Sequence, residues 1–469
     1  VQSTVVPSAP TGLLFPGDPG VPEAGAYTPH NHVSPRVGFA LDAFGNGKTV
    51  FRGAAGLFFG TIGGNEWQYP SNNQPYAIRQ QYNKVVSLAN PYATDPSEFA
   101  GGISPYPYYF DPKNPRFTRP AGLVAMDANY KWPYSYQINF GVQQQFGRST
   151  ALTVNYVGSL SRKLPLYFDH NYPVYNAANP TANTTSNVDS RRPLQPGGSP
   201  SDPTLKSVNV VESGQTSNYN GLQVTLDQRM TKNISFQGFY TWSKTIWSAY
   251  MANNTLANAF EDYNFPQLDR QRADSDYRHV FVSSVVWKPN YFTGSNRFVR
   301  GTLNGWTISS IITLQSGAPF NVTTGSDTNA DGNNNDRPNV APGKIARVLD
   351  NGSSRVAMMN QWFDTGAFCV YSPSAGTCKG AGAAGQDGTF RYNALDGPGT
   401  RNVDASLFRD FPIHERVKFQ FRSEVSNVFN LTNLGQPTGA VSSANFGKIT
   451  GSNSYFPNRR IQLGARILF

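Results

Sequence analysis

The sequence predicts an all-β, antiparallel chain of about 11–14 long strands. Three observations carry this: apolar and polar residues alternate over long runs, the composition favours strands and turns over helices, and short connections alternate with long ones. Aromatic residues make up 13% of the 469 residues, with 31 Phe and 24 Tyr, while charged residues make up only 14%. Gly (44) and Pro (34) punctuate the apolar stretches. Low charge, many rings and frequent turn residues suit strands and disfavour helices.

The alternation is clearest at the C-terminus, "RRIQLGARILF", where Ile461, Leu463, Ala465, Ile467 and Phe469 interleave with Arg460, Gln462, Gly464 and Arg466. It recurs in "ERVKFQFRSEV", "SYQINFGVQQQF", "TALTVNYVG", "NGLQVTLDQRM" and "ISFQGFYTW". Period-two alternation describes a strand with one apolar and one polar face. Eleven such strands are expected, over 35–43, 48–59, 133–146, 149–160, 216–229, 233–245, 279–288, 303–315, 401–411, 416–429 and 459–469. Lys206–Val211 and Pro319–Thr323 are candidates for a further strand, which would make the count even.

A soluble sandwich would bury the apolar faces against a second sheet, and a secreted all-β protein is the competing arrangement. Two features favour an outer-membrane-type barrel or partial barrel, with apolar faces toward lipid and polar faces toward the lumen. Aromatic residues gather near strand ends, as at Tyr134, Tyr136, Tyr240, Trp242, Trp287 and Trp306. Short turns near Gly45–Gly47, Gly147–Ser149, Thr231–Asn233 and Pro412–Glu415 alternate with long polar loops near 60–132, 161–215, 246–277, 325–400 and 430–458. The expected organisation is an extended segment over 1–34, a former external loop, followed by the barrel portion over 35–469. Gln143, Asn155, Gln223, Asp227, Gln420 and Arg422 are the expected lumen-facing side chains.

No run of about 18 apolar residues exists, which excludes a transmembrane helix. The net charge of +10 is spread over isolated Lys and Arg residues. That spacing argues against nucleic acid and for an anionic surface such as lipopolysaccharide or phospholipid headgroups. The opening "VQSTVVPSAP" has no leader pattern, so the chain is expected either to have lost one or to begin within a longer precursor.

Among candidate sites, "DTNADGNNNDRPN" is the most informative. Asp327, Asn329 and Asp331 occupy alternate positions of a D-x-N-x-D-G pattern, with Gly332 permitting a sharp turn, and Pro338 stands where a bidentate Glu would close a calcium loop. Asn333 or Asp336 is expected to substitute, making calcium the expected ion. An Asx-rich turn satisfied by its own backbone is the alternative. Cys369 and Cys378 flank a Pro- and Gly-containing loop, and a disulfide between them is expected in an oxidising compartment. His30 and His32 are spaced for a metal but read better as a solvated pair, and "DSDYRH" reads as ion pairs at a membrane boundary. No nucleophile elbow, zincin motif or phosphate-binding glycine loop occurs, so no catalytic residue is assigned and no enzyme activity is expected.

Several stretches carry a resemblance to a known family: "FPGDPGVP", "SPRVGFALDAFGNGKTVFRGAAGLFF", "SNYNGLQVTLDQRM", "FYTWSKT", "DYRHVFVSSVVW", "LNGWTISSIITLQSGAPFNVTTGSDTNADGNNNDRPN", "GPGTRNVDASLFRDF" and "FRSEVSNVFNLTNLGQP". From about residue 14 onward the chain resembles the barrel of Oar-like TonB-dependent receptors. The resemblance implies uptake of a large or scarce substrate with energy passed on by TonB. It covers the C-terminal barrel portion, without the plug or TonB box, so a fragment of a longer receptor is expected.

The last strand, with Phe469 at its end, resembles the signal read by the outer-membrane barrel assembly machinery, the expected assembly partner. Two open strand edges would need the missing N-terminal half or further copies of the chain. The expected location is the outer membrane of a Gram-negative bacterium. The alternative is an extracellular oligomer or fibre built through those edges.

Overall fold

A computed structural model describes residues 1–27, 31–61, 73–77, 89, 109–113, 115, 117, 120–196, 198–200, 204–231, 233–248, 260–292, 294, 296–350, 352, 354–374, 378–382, 385–414 and 416–469. In chain order the first strands are β1 (Arg36–Asp42), β2 (Thr49–Phe59), β3 (Ala121–Met126), β4 (Tyr134–Phe146), β5 (Thr150–Asp169), β6 (Leu205–Thr231) and β7 (Ile234–Trp247). Next come β8 (Gln271–Arg272), β9 (His279–Trp287), β10 (Trp306–Gln315), β11 (Pro319–Phe320), β12 (Asn339–Val340), β13 (Phe368–Cys369) and β14 (Leu395–Asp396). The last three are β15 (Thr400–His414), β16 (Val417–Ser426) and β17 (Arg460–Leu468).

Eleven long strands form one antiparallel meander in the order β1-β2-β4-β5-β6-β7-β9-β10-β15-β16-β17. β3 joins it parallel to β6 and β8 joins antiparallel to β7, while β11–β14 and β12–β13 form two small separate sheets. Among the described residues no ladder joins β1 to β17, so the sheet is open at both edges. The expected strands coincide with the meander. Lys206–Val211 lies inside β6, and Pro319–Thr323 supplies only β11, off the main path, so neither adds a strand to it.

One difference from expectation has a clear cause. β5 and β6 continue well into the segment expected as a loop over 161–215, pairing as far as Asp169 opposite Asn209. The register shifts between Ser161 and Leu164 and again at Pro165, and Lys163 adopts a positive φ of 57°. A bulge there puts the alternation out of phase, so a period-two pattern stops at 160 while the backbone ladder continues.

Register assigns the two faces. Val142 lies opposite Val154, which lies opposite Val224; Phe140, Tyr156 and Leu222 form the neighbouring row. Phe140, Tyr156, Leu222, Leu226 and Trp242 are exposed, and among the described residues no second sheet packs over them. An uncovered apolar face of this extent is what a lipid-facing band presents. At the edges Val37, Phe39 and Leu41 of β1, and Ile461, Leu463 and Ile467 of β17, are also exposed. Ala465 lies opposite Phe421, and Phe469 follows the end of β17, almost wholly exposed.

The polar face carries the expected lumen side chains. Asn155 lies opposite Gln223, Gln143 opposite Thr153 and Asp227 opposite Gln237. Gln237 donates to Asp227 Oδ1 (2.7 Å), Gln420 donates to Asp410 Oδ1 (2.8 Å), and Arg422 pairs with Glu424 (2.5 Å). Asn155 also packs over Gly141, where an added Cβ would stand 1.7 Å from its Oδ1, so only glycine fits that position. On the short-turn side, Trp287 lies tilted against Tyr291 and Trp306 meets Phe411 edge to face, with Arg409 over the Trp306 ring. There the β9–β10 connection is longer than a tight turn and contains a short helix, Arg297–Leu303, capped by Asn296.

Much of the buried apolar packing lies at the long-connection end, and a further cluster, Val6, Ala9 and Phe15, gathers the N-terminal segment expected to be extended. Phe320, Val322, Phe363, Ala367, Phe368, Phe390 and Leu395 form one cluster, against which Trp362, Val441 and Phe446 pack. Leu166, Phe260 and Tyr263 form another. The segments expected as polar loops over 325–400 and 430–458 therefore form a folded layer joined by apolar packing. Replacing outward Leu463 with Lys would place a charge on the apolar face of β17. The expected loss is about 2–4 kcal/mol of stability in a bilayer, measured by urea unfolding in vesicles.

Candidate cation site in the loop layer

Within the layer, the segment after β11 turns back on itself at Ala330 (φ 59°) and Gly332 (φ 95°). The turn exists because Asp327 accepts from two backbone amides, Asp331 N (3.0 Å) and Gly332 N (2.9 Å). Asn329 Oδ1 accepts from Asp331 N as well (3.0 Å). Asp336 closes the far end, with one carboxylate oxygen accepting from Thr328 N, Thr328 Oγ1 (2.7 Å) and Asn329 N (3.0 Å). The Asx-turn bonding anticipated as an alternative is thus present.

That bonding leaves oxygens over. Ligand atoms of Asp327, Asp331 and Asp336 lie within 4.8 Å of one another. Asp336 is fully buried, and its Oδ1 has no hydrogen-bond partner. Burial lifts Asp331 to about 7 and Asp336 to about 8, against hydrogen bonds that pull the other way. Asn333 donates from its amide nitrogen to Asp331 Oδ2 (3.0 Å) and so braces a ligand. Asn329 also donates to the Glu261 carbonyl (3.0 Å), and Thr185 donates to Asp327 Oδ2 (2.8 Å). The turn is thereby fastened to two other connections. An all-oxygen set of three carboxylates and an amide carbonyl suits a hard cation.

Beside it runs a buried ionic knot that the sequence did not suggest. Glu261 accepts from Arg337 N (2.8 Å), Arg337 Nε (2.5 Å) and Gly388 N (3.0 Å). Arg337 also reaches Asp269 (3.3 Å) and sits over the Tyr392 ring. Burial lifts Asp269 to about 6 despite that guanidinium. A carboxyl raised in the folded state adds stability that is complete below its ordinary value and is lost as pH rises through the raised one. The layer is therefore expected to lose up to about 3 kcal/mol from this group between pH 4 and 7 in the presence of a chelator. Melting curves of wild type and Asp269→Asn across that range check it, since the variant should flatten the slope.

At the strand ends, Asp276 holds Arg272 (2.6 Å) and Arg278 (3.4 Å), and Asn393 donates to Asp274 (2.6 Å), the ion-paired base that "DSDYRH" predicted. Cys369 and Cys378 are joined as a disulfide, Cα–Cα 6.1 Å, beside the β12–β13 pair. His30 lies outside the described residues; His32 stacks on Phe59 at 4.1 Å.

An open antiparallel meander, apolar outside and polar inside, is matched by a family model described as outer membrane beta barrel domain over residues 2–462. The chain belongs to that family. This outer-membrane barrel chain also overlays several solved structures. The outer membrane transporter YddB from Escherichia coli is 10% identical (TM-score 0.47), with 93% of this chain and 40% of that one covered. The ferric citrate transporter FecA is 10% identical (TM-score 0.38; 93% and 38% covered). BauA, the ferric preacinetobactin receptor from Acinetobacter baumannii, is 9% identical (TM-score 0.38; 93% and 36% covered). The barrel chain spans two-fifths or less of the length of these structures. No curated protein matches it.

Proposed function

We propose that the chain serves, without enzymatic activity of its own, as the wall and outer loop layer of a TonB-dependent receptor that takes up a large or scarce substrate. The observation that carries the reading is the asymmetry of the meander. Four tight turns and the helix-bearing β9–β10 connection close one end, while the other bears a layer with its own apolar cores, disulfide and buried ionic knot. Loops that only joined strands would not need such internal order. A rigid layer above a polar-lined wall suits selective capture at the membrane surface, and the family motifs quoted above point the same way.

In this reading calcium, held by Asp327, Asn329, Asp331 and Asp336, sets the shape of the layer. The open edges of β1 and β17 pair with the rest of a receptor barrel carrying its plug, outer-membrane lipid or lipopolysaccharide surrounds the apolar face, and the barrel assembly machinery inserts the chain.

Purification from solubilised outer membranes of the source cells, followed by native electrophoresis and intact mass spectrometry, tests it. A plug-bearing companion is expected; a single 51.4 kDa species in large assemblies that need no detergent would sink transport. For the ion, chelation should lower the melting point of the layer and calcium should restore it, while Asp331→Asn should remove most of that shift. A melting point indifferent to calcium would exclude the site.

A further inference from the structure

A second pair of carboxyl groups meets in the layer, and it uses none of the residues of the Asp327 turn. Asp262 lies between Glu261 and Tyr263, beside the apolar cluster of Leu166, Phe260 and Tyr263; Asp387 follows the disulfide and pairs its backbone with Ala381. After burial itself, the nearby Asp262 charge does most to raise the Asp387 carboxyl. Asp387 is fully buried, neither of its oxygens has a hydrogen-bond partner, and Gly382 approaches so closely that an added Cβ would stand 1.8 Å from Oδ2. Next to it Gln386 is 5% exposed, with its side-chain oxygen buried and likewise without a partner. Gln386 and Asp262 line one cavity of about 460 Å³ together with Asp169, His170, Tyr172 and Tyr263.

Among the described residues the cations around this pair are bonded to other carboxylates, and the Arg337 charge only partly offsets the rise at Asp387. Arg337 is committed to Glu261 and Asp269, Arg192 to Asp169 and Asp189, and His170 to Glu212. Two buried carboxylates that raise one another need a counter-charge or a proton. A shared proton would serve one oxygen from each and leave the Gln386 oxygen and the second Asp387 oxygen unanswered. A hard cation answers all of them, and the cavity leaves room for the waters that would complete its shell. We propose that Asp262, Asp387 and the side-chain oxygen of Gln386 form a second site for a divalent hard cation of the calcium type. It would tie the disulfide-bearing segment to the connection that follows β7.

Equilibrium dialysis of the full chain in detergent against radioactive calcium tests this, with Asp387→Asn and Asp331→Asn alongside. About two ions are expected per wild-type chain, and about one in each variant. A wild-type count that Asp387→Asn leaves unchanged overturns the second site, whatever Asp331→Asn does. A count that only Asp387→Asn lowers keeps the second site and removes the first. Should Asp387→Asn not fold, Asp262→Asn takes its place: a count lowered by about one ion is expected, and a count equal to that of the wild type overturns the proposal.

Discussion

Replacing Arg337 with leucine is expected to destabilise the loop layer by about 3–5 kcal/mol, enough to open it at neutral pH while the strands stay paired. Arg337 is almost wholly buried, and so are both its acidic partners, Glu261 and Asp269. The leucine would leave two carboxylates without a counter-charge near Asp262, Asp336 and Asp387. Truncating one side of a buried pair costs far more than the pair itself contributes, because the stranded charge stays desolvated. Glu261 also gathers backbone amides from Arg337 and Gly388, so its displacement frees the connection after β7 from two separate stretches of the connection after β10. Limited proteolysis of the folded chain would read the effect as new cleavage over 325–400, with heat-modifiable migration of the barrel unchanged. Arg337→Lys keeps the charge but loses the two-pronged bond and should fall between wild type and leucine. Equal protease resistance in all three proteins would remove the ionic knot from the account.

Phe363→Ala is expected to cost a similar amount, about 3–5 kcal/mol, by a different route. Phe363 is fully buried, and its ring lies 5.4 Å from Phe320, 5.7 Å from Phe368 and 5.2 Å from Phe446. These partners come from β11, β13 and the connection before β17, so no single segment can collapse into the space left behind. Phe363→Leu should cost much less, since most of the volume is kept. Urea unfolding followed through Trp362, which packs on the same cluster, distinguishes the two. Equal midpoints for alanine and wild type would show that the layer is not held by this core.

Why the strands were legible and the layer was not follows from how each is encoded. A strand writes itself locally: Leu152, Val154 and Tyr156 against Thr153 and Asn155 fix both the element and its faces within a few residues. The exceptions are local too, as at the Lys163 bulge that hid the outer reach of β5 and β6. The layer is encoded by distance. Its main core joins residues from Phe320 to Phe446, with no periodicity to announce them. The Asp327 turn could be read because its ligands follow one another in sequence. Asp262 and Asp387, or Glu261 and Arg337, meet only after the strands have brought their connections together. Asn333 shows what spacing does convey at short range, since it stands beside Asp331 and donates to its carboxylate.

The central claim is that the meander lies in a bilayer with its apolar face toward lipid. The most direct measurement introduces single cysteines along β6, in the full chain embedded in outer-membrane vesicles, and attaches a fluorophore to each. Labels at 222, 224 and 226 should be quenched by brominated lipid and ignored by a water-soluble quencher. Labels at 223, 225 and 227 should behave in the opposite way. Quenching that lacks this two-residue alternation, with the water-soluble agent reaching both sets equally, would contradict a membrane-spanning wall.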